Sequence, residues 1–194
     1  MALFDKHFWD NRYKTNDIGW DLGAVSPPIQ TYIETLTDTS LKILIPGGGN
    51  SYELEFLIEK GFKQSFVLDI SPLPLANIAK RNPTIPTQQL LCGDFFEHEG
   101  LYDIIIEQTF FCALDPTLRQ LYVKQMHRLL KPGGKLVGLL FDAPLNDDNP
   151  PFGGNAEVYK LLFADLFEIS KMEPCSNSIQ PRMGRELFIE FIAR

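Results

Sequence analysis

The chain has 194 residues, 44% of them hydrophobic and 22% charged, values that suit one globular domain with a full core and argue against wholesale disorder. A formal charge of −7 and a pI near 5.0, with no dense Lys/Arg cluster, argue against a nucleic-acid-binding surface. No apolar run approaches the roughly 18 residues of a membrane span, and a start that carries Asp5 and Asp10 lacks signal-peptide character, so a soluble, cytoplasmic protein is expected.

Phe4, Phe8, Trp9, Tyr13 and Trp20 crowd the first 25 residues, a stretch otherwise rich in polar residues that holds both tryptophans of the protein. Two uses compete for these rings: packing the segment onto the domain, or forming a lid over a ligand, above all a cationic one. Pro27 and Pro28 open a helix predicted to reach about 36, since proline suits a first turn. Leu41, Ile43, Leu44 and Ile45 then read as a buried parallel strand, and Pro46 with Gly47, Gly48 and Gly49 ends it. Ser51 reads as the start of a helix with Leu54, Leu57 and Ile58 on one side and Gly61 at its end. The segment is therefore strand, glycine turn, helix. In an open parallel sheet a ligand meets the backbone at such a place, because glycine permits close approach and the helix start offers free N–H groups.

A second strand is predicted over 65–69 and ends on Asp69, which follows Gly49 by 20 residues. At that separation an acid accepts hydrogen bonds from ribose hydroxyls beside a glycine turn. A helix over 71–81 follows, then a third strand over 88–92 that delivers Asp94 and Phe95 to another strand end, where the ring has the shape to lie against a flat base. The fourth strand, over 102–106, runs into the apolar loop 107–113, which is expected to line a pocket or pack under the lid. A long helix is predicted over 116–130 with Leu118, Leu121, Tyr122 and Met126 on one face. Lys131-Pro132-Gly133-Gly134 stops it, and a fifth strand is predicted over 135–141.

This strand-helix alternation implies a Rossmann-like α/β fold, a mostly parallel sheet with helices on both faces. The loop 142–155 is long enough to suspect function. A short helix over 157–163 and strands over 167–172 and 186–192 follow. Two strands joined without a helix should be antiparallel. A single domain over 1–194 is expected, with 1–25 as its lid segment. Cys92, Cys112 and Cys175 are far apart with no CxxC, and His7, His98 and His127 show no ligand spacing, so neither a disulfide framework nor a metal site is expected.

For a dinucleotide, Gly47 and Gly49 supply the first two glycines of G-x-G-x-x-G, but Tyr52 occupies the third position, where close packing favours Gly or Ala. A helix start this bulky suits an adenosine with a small tail rather than a pyrophosphate. The closing strand pair and the PGG before the fifth strand point to a seven-stranded methyltransferase that uses S-adenosylmethionine. On its ordered stretches the chain resembles the thiopurine S-methyltransferase family, including its plant thiol/halide branch: Trp9, Tyr13 and IGWD at 18–21; LIPGGGNSYE at 44–53; LDIS at 68–71; GDFF at 93–96; YDIIIEQTFFCALDP at 102–116 with Arg119 and Tyr122; LLKPGGKL at 129–136; PPF at 150–152; RMGRE at 182–186. PGGG stands where PGCG is commoner, and Tyr13 where many members have Trp.

The resemblance implies that Trp9, Tyr13 and Trp20 close over S-adenosylmethionine, that Gly47 and Gly49 receive its methionine portion and Asp69 its ribose, and that Asp94 and Phe95 take the adenine. It further implies contact with the cofactor from Gln108 and an active-site role for Arg119. Methyl transfer to a thiol, thiopurine or halide by in-line displacement needs a dry, well-walled pocket more than acids and bases. Arg119 is expected to attract an anionic nucleophile, and either Asp142 or no residue to handle any proton. A nucleotide-dependent oxidoreductase and a non-catalytic S-adenosylmethionine-binding protein are the alternatives. A small-molecule substrate and a monomer are expected.

Overall fold

The computed structural model describes residues 4–194. The first three residues of the expected lid segment lie outside them. Helix α1 (Lys6–Lys14) and helix α2 (Pro27–Thr35) precede a single seven-stranded sheet. Its strands are β1 (Ile43–Pro46), β2 (Ser65–Asp69), β3 (Leu90–Cys92), β4 (Tyr102–Gln108), β5 (Leu130–Phe141), β6 (Phe167–Pro174) and β7 (Glu186–Ala193). Helices α3 (Tyr52–Glu59), α4 (Pro72–Arg81), α5 (Arg119–Leu129) and α6 (Ala156–Phe163) fill the connections. The strand order is β3-β2-β1-β4-β5-β7-β6. The first five strands are parallel, while β7 runs antiparallel to both β5 and β6, as the helix-free connection requires.

Alternation along each strand divides the core between the two faces. Ile43 and Ile45 of β1 pack with α2, α3 and α4 through Ile29, Ile33, Leu54, Leu57 and Ile78, all essentially buried. Leu44 points to the other face, where Tyr122, Met126, Leu129 and Phe163 of α5 and α6 join it. Each such aliphatic side chain removed from water contributes roughly 1.5–3 kcal/mol, so the two helical layers hold the sheet flat-on from both sides. Between β1 and β4 the order of connections reverses. That reversal leaves a crevice at the carboxyl ends of the parallel strands, where ligands of open α/β sheets bind.

Four expectations need adjustment. Residues 87–89 form a 3-10 turn rather than strand, because Gln89 is drawn down to donate from Nε2 to the Lys63 carbonyl at 2.6 Å. The long helix is interrupted after a 3-10 turn at Pro116–Leu118, and Leu121 faces outward at 52% exposure while Val123 takes the buried place. The fifth strand begins at Leu130, not 135. Lys131 is held extended by the proline after it, Leu130 already pairs with Tyr102, and a register shift absorbs the Pro-Gly-Gly. Helix α1 has no counterpart in the reading of residues 1–25, since it buries Asp10 rather than an aliphatic stripe.

Candidate active site

A cavity of about 480 Å³ opens at the carboxyl ends of β1, β2 and β4. Trp9, Tyr13 and Trp20 form one wall, with Trp20 edge-on to Trp9 (centroids 5.5 Å, 82°) and to Tyr13 (5.9 Å, 85°). Phe95, Phe96 and Phe110 form another, with Phe95 edge-on to Phe110 at 5.1 Å. The glycine turn is shaped by these rings. Gly47 has φ +57°, and a Cβ there would fall 2.1 Å from the Phe110 ring; at Gly49 (φ +55°) it would fall 2.7 Å from the Tyr13 hydroxyl. The glycines thus let aromatic side chains from distant segments close on the turn.

A string of polar contacts ties the lid helix to this floor. Asp5 caps α1 by accepting from Phe8 N at 3.0 Å, and within the helix Lys6 donates to Asp10 at 2.5 Å. Asp10 also accepts from Ser71 Oγ at 2.6 Å, at the first residue before α4. Ser71 N in turn donates to Asp69 Oδ1 at 2.8 Å, and Gly49 N donates to Asp69 Oδ2 at 2.9 Å. Lid, helix start, strand tip and glycine turn are therefore one connected unit. Burial drives Asp69 up to about 6, against the pull of those two amide donors. A carboxylate offers about four lone-pair sites, and these amides take two, which leaves acceptors for a diol on the cavity side.

The structure brings Trp9, Tyr13, Trp20, Gly47, Asp69, Asp94 and Phe95 to the cavity wall. Asp94 is exposed and accepts from Phe96 N at 2.8 Å, which sets the turn that presents the two phenylalanines. Gly49 is set back from the wall in the turn, its N–H on Asp69, and three other expected residues stand elsewhere. Gln108 accepts from Ser26 Oγ and lines a smaller chamber next to the main cavity. Arg119 is turned off the wall because its guanidinium stacks over Phe111 (4.8 Å) and donates to the Gly153 carbonyl at 2.6 Å. Asp142 is exposed, its carboxylate accepting from Ala156 N at 3.2 Å at the start of α6. Neither Arg119 nor Asp142 is among the residues that wall the cavity.

Other wall residues were not picked out as site residues from the sequence, although Arg182 opens the RMGRE stretch. Arg12 lies over the Trp20 ring (5.1 Å) and is committed to Asp17, through the carbonyl at 2.8 Å and the carboxylate at 3.1 Å. Arg182 comes from the loop between β6 and β7; its Nη2 donates to the Trp20 carbonyl at 3.1 Å and its Nη1 stands 3.7 Å from Glu186. The antiparallel pairing of β7 with β5 puts Glu186 opposite Phe141, so the loop just before β7 must return to the cavity end of the sheet. That topological step was available for Arg182. Beneath the wall, Glu107 is wholly buried and accepts from Phe110 N (2.8 Å), Phe111 N (2.9 Å) and Tyr122 Oη (2.5 Å). Burial drives its pKa up to about 7. It clamps the turn that carries Phe110 and Cys112 into the cavity.

Residues 4–188 match the family model for thiopurine S-methyltransferase. The chain belongs to the thiopurine S-methyltransferase family. It is 30% identical over 184 residues to "Probable thiol methyltransferase 2" of Arabidopsis thaliana (92% of this chain, 81% of the relative). It is 26% identical over 186 residues to "Thiocyanate methyltransferase 1" of Brassica oleracea, with the same coverage of the two chains. Its fold is similar to that of the Burkholderia thailandensis 1,6-didemethyltoxoflavin-N1-methyltransferase, with a TM-score of 0.75 at 16% identity over 97% of this chain and 86% of that one. Membership makes the protein an S-adenosylmethionine-dependent methyltransferase. The residues present suit that molecule: the free acceptors of Asp69 a ribose, the Phe95 side an adenine, and the three rings of the lid a sulfonium.

Proposed function

We propose that the enzyme methylates a small, soft, anionic nucleophile, a thiolate in the first instance, in the cavity beneath the aromatic lid. One observation carries this reading: the walls are largely aromatic and aliphatic, they include no His, Lys or Glu among the described residues, and two guanidinium groups, those of Arg12 and Arg182, stand among them. When bound, S-adenosylmethionine supplies an electrophilic methyl carbon to the attacking thiolate and departs as neutral S-adenosylhomocysteine. Opposite charges disappear in that displacement, so walls that hold little water favour it, and aligned reactants lower the barrier further.

In this reading Trp9, Tyr13 and Trp20 hold the sulfonium side, Asp69 the ribose, and Asp94 and Phe95 the adenine; Gly47 and Gly49 shape the turn. Arg12 is paired with the Asp17 carboxylate at 3.1 Å, closer than Glu186 stands to Arg182 at 3.7 Å, so Arg182 is assigned to draw the anion in, the part that the sequence alone suggests for Arg119. No general base is assigned. Acidic thiols and halides arrive ionised, and their proton has already gone to solvent. Cys112 also faces the cavity, but burial and Glu107 push its thiol well above the usual range, so it stays protonated and does not compete as a nucleophile. The three unpaired cysteines and the acidic composition fit work in a reducing cytoplasm on small molecules rather than nucleic acid.

The test is transfer of labelled methyl to a panel of thiopurine, aromatic thiol, sulfide, thiocyanate and halide acceptors. Transfer to at least one sulfur acceptor is expected. Binding of S-adenosylmethionine without transfer to any of them would sink the proposal.

A further inference from the structure

Phe95 and Phe96 enter the cavity wall from the loop between β3 and β4, most of whose residues are exposed. The loop's own backbone bonds make one short turn: the Asp94 carbonyl accepts from Glu97 N at 3.2 Å and the Phe95 carbonyl from His98 N at 3.3 Å. Helix α5 grips that turn. Gln125, 6% exposed, donates from Nε2 to the Phe95 carbonyl at 2.7 Å and to the His98 carbonyl at 2.9 Å. Its Oε1 accepts from Arg128 Nε at 2.9 Å, and Arg128 Nη2 donates to the same His98 carbonyl at 2.6 Å. Neither Gln125 nor Arg128 is among the residues that wall the cavity.

Two carbonyls call for two N–H donors on one group, and the guanidinium alongside calls for an acceptor on the same group. Among neutral side chains only a primary amide has both. Packing adds its own hold on Phe95, whose ring meets Phe110 edge-on at 5.1 Å and Tyr122 tilted at 5.7 Å. Phe96, half-buried and edge-on to Phe95 at 5.3 Å, takes its direction from the same turn. Tyr122, three residues before Gln125 and so on the same face of α5, donates to Glu107, which holds the turn of Phe110. One helix face thus sets the backbone behind both aromatic walls.

We infer that Gln125 is a positioning residue for the methyl donor: from α5 it fixes the turn that presents Phe95 and Phe96 to the adenine, an inference that rests on the placement of the adenine proposed above. A turn held in advance spares the donor the cost of ordering it. That cost is roughly 3- to 10-fold in affinity for one side chain at a binding surface.

The experiment compares two ligands on the full chain by competition against labelled S-adenosylhomocysteine. One is S-adenosylhomocysteine itself, the other S-ribosylhomocysteine, which carries the ribose and tail without the adenine. Wild-type protein should hold the first more tightly by roughly 10-fold or more, the worth of a base stacked on an aromatic ring. Gln125→Met keeps the length and removes the donors. It should weaken S-adenosylhomocysteine about 3- to 10-fold while S-ribosylhomocysteine and the KM for the acceptor stay near wild type. Arg128→Met, on an exposed side chain, removes the second donor to His98 and the partner of Gln125 Oε1. It should narrow the same gap by about two- to threefold, and it carries the test should Gln125→Met not fold. A gap of wild-type size in each folded variant, whether both ligands are unchanged or equally weakened, makes the contact structural and overturns the inference. Wild-type protein that shows no gap overturns the placement of the adenine at Phe95 instead, a separate result.

Discussion

The two sides of the cavity are built from different materials. On the side of β1, β2 and α4 the wall is mostly backbone in fixed turns: Gly47 and Gly49 with positive φ, and amides of Gly49 and Ser71 gathered on Asp69. On the side of β4 and β5 it is side chains, brought from Phe110, Cys112, Pro150 and Arg182 and held from below by Glu107. In the proposed reading the first side recognises the nucleoside and the second takes the nucleophile. Recognition of donor and acceptor should therefore separate under mutation.

The largest effect is expected at Glu107, because its loss leaves a buried amide, a half-buried amide and a buried phenol without an acceptor. At about 1–3 kcal/mol for each unsatisfied group, Glu107→Ala should cost on the order of 3–9 kcal/mol in chemical denaturation. Wild-type stability in that variant would mean that the aromatic packing alone holds the acceptor side. Glu107→Gln isolates the charge. Burial raises the carboxyl from 4.5 to about 7 in the folded state, so its contribution is fully present below the unfolded value and is lost as pH rises through 7. The stability of the wild type should thus fall more steeply from pH 5 to 7.5 than that of Glu107→Gln.

Asp69→Asn comes next and tests the donor side. It should weaken S-adenosylhomocysteine about 10- to 100-fold in calorimetry, since hydrogen bonds to a charged group are lost, while the KM for the acceptor stays near wild type. Because burial holds Asp69 at about 6, affinity for the donor should also decline as pH drops below that value. A matching rise in both constants would dissolve the division between the sides.

Much of the donor side could be read in the sequence, and the reason is physical. A glycine turn after an aliphatic run, and an acid 20 residues on, are local signals whose geometry follows from backbone sterics and strand length. The antiparallel direction of the last two strands followed too, from the absence of an α-helix between 167–174 and 186–193. The acceptor side could not be read that way. Arg119 and Arg182 look alike in sequence, and only the packing of Phe111 and the Gly153 carbonyl takes the first away from the wall while the β6–β7 loop brings the second to it. Helix α1 was hidden for a related reason: its inward face is aromatic and acidic, and its anchor is the bond between Ser71 and Asp10.

Arg182→Met should raise the KM for an anionic acceptor about 10-fold, within the range of one lost charge-assisted contact, and change donor affinity little. The same substitution at Arg119 should leave the KM alone and appear as lost stability, since it strands the Gly153 carbonyl and uncovers Phe111. Exchange of these two outcomes would return Arg119 to the acceptor site.

The smallest effect is expected at Asp142, and it bears on the chemistry most directly. Its carboxylate is exposed and accepts from Ala156 N at 3.2 Å, a bond that an asparagine oxygen can also accept. Asp142→Asn should therefore keep kcat within about twofold, because surface changes away from such features cost little. Should kcat collapse while donor binding holds, Asp142 carries a proton after all, and the loop from Asp142 to Asn155 must swing it inward during turnover. An unchanged rate locates the control of protonation in the acceptor. The pH–rate profile should then shift with the thiol used, following each thiol's own pKa, and the enzyme's part reduces to walls, alignment and one guanidinium.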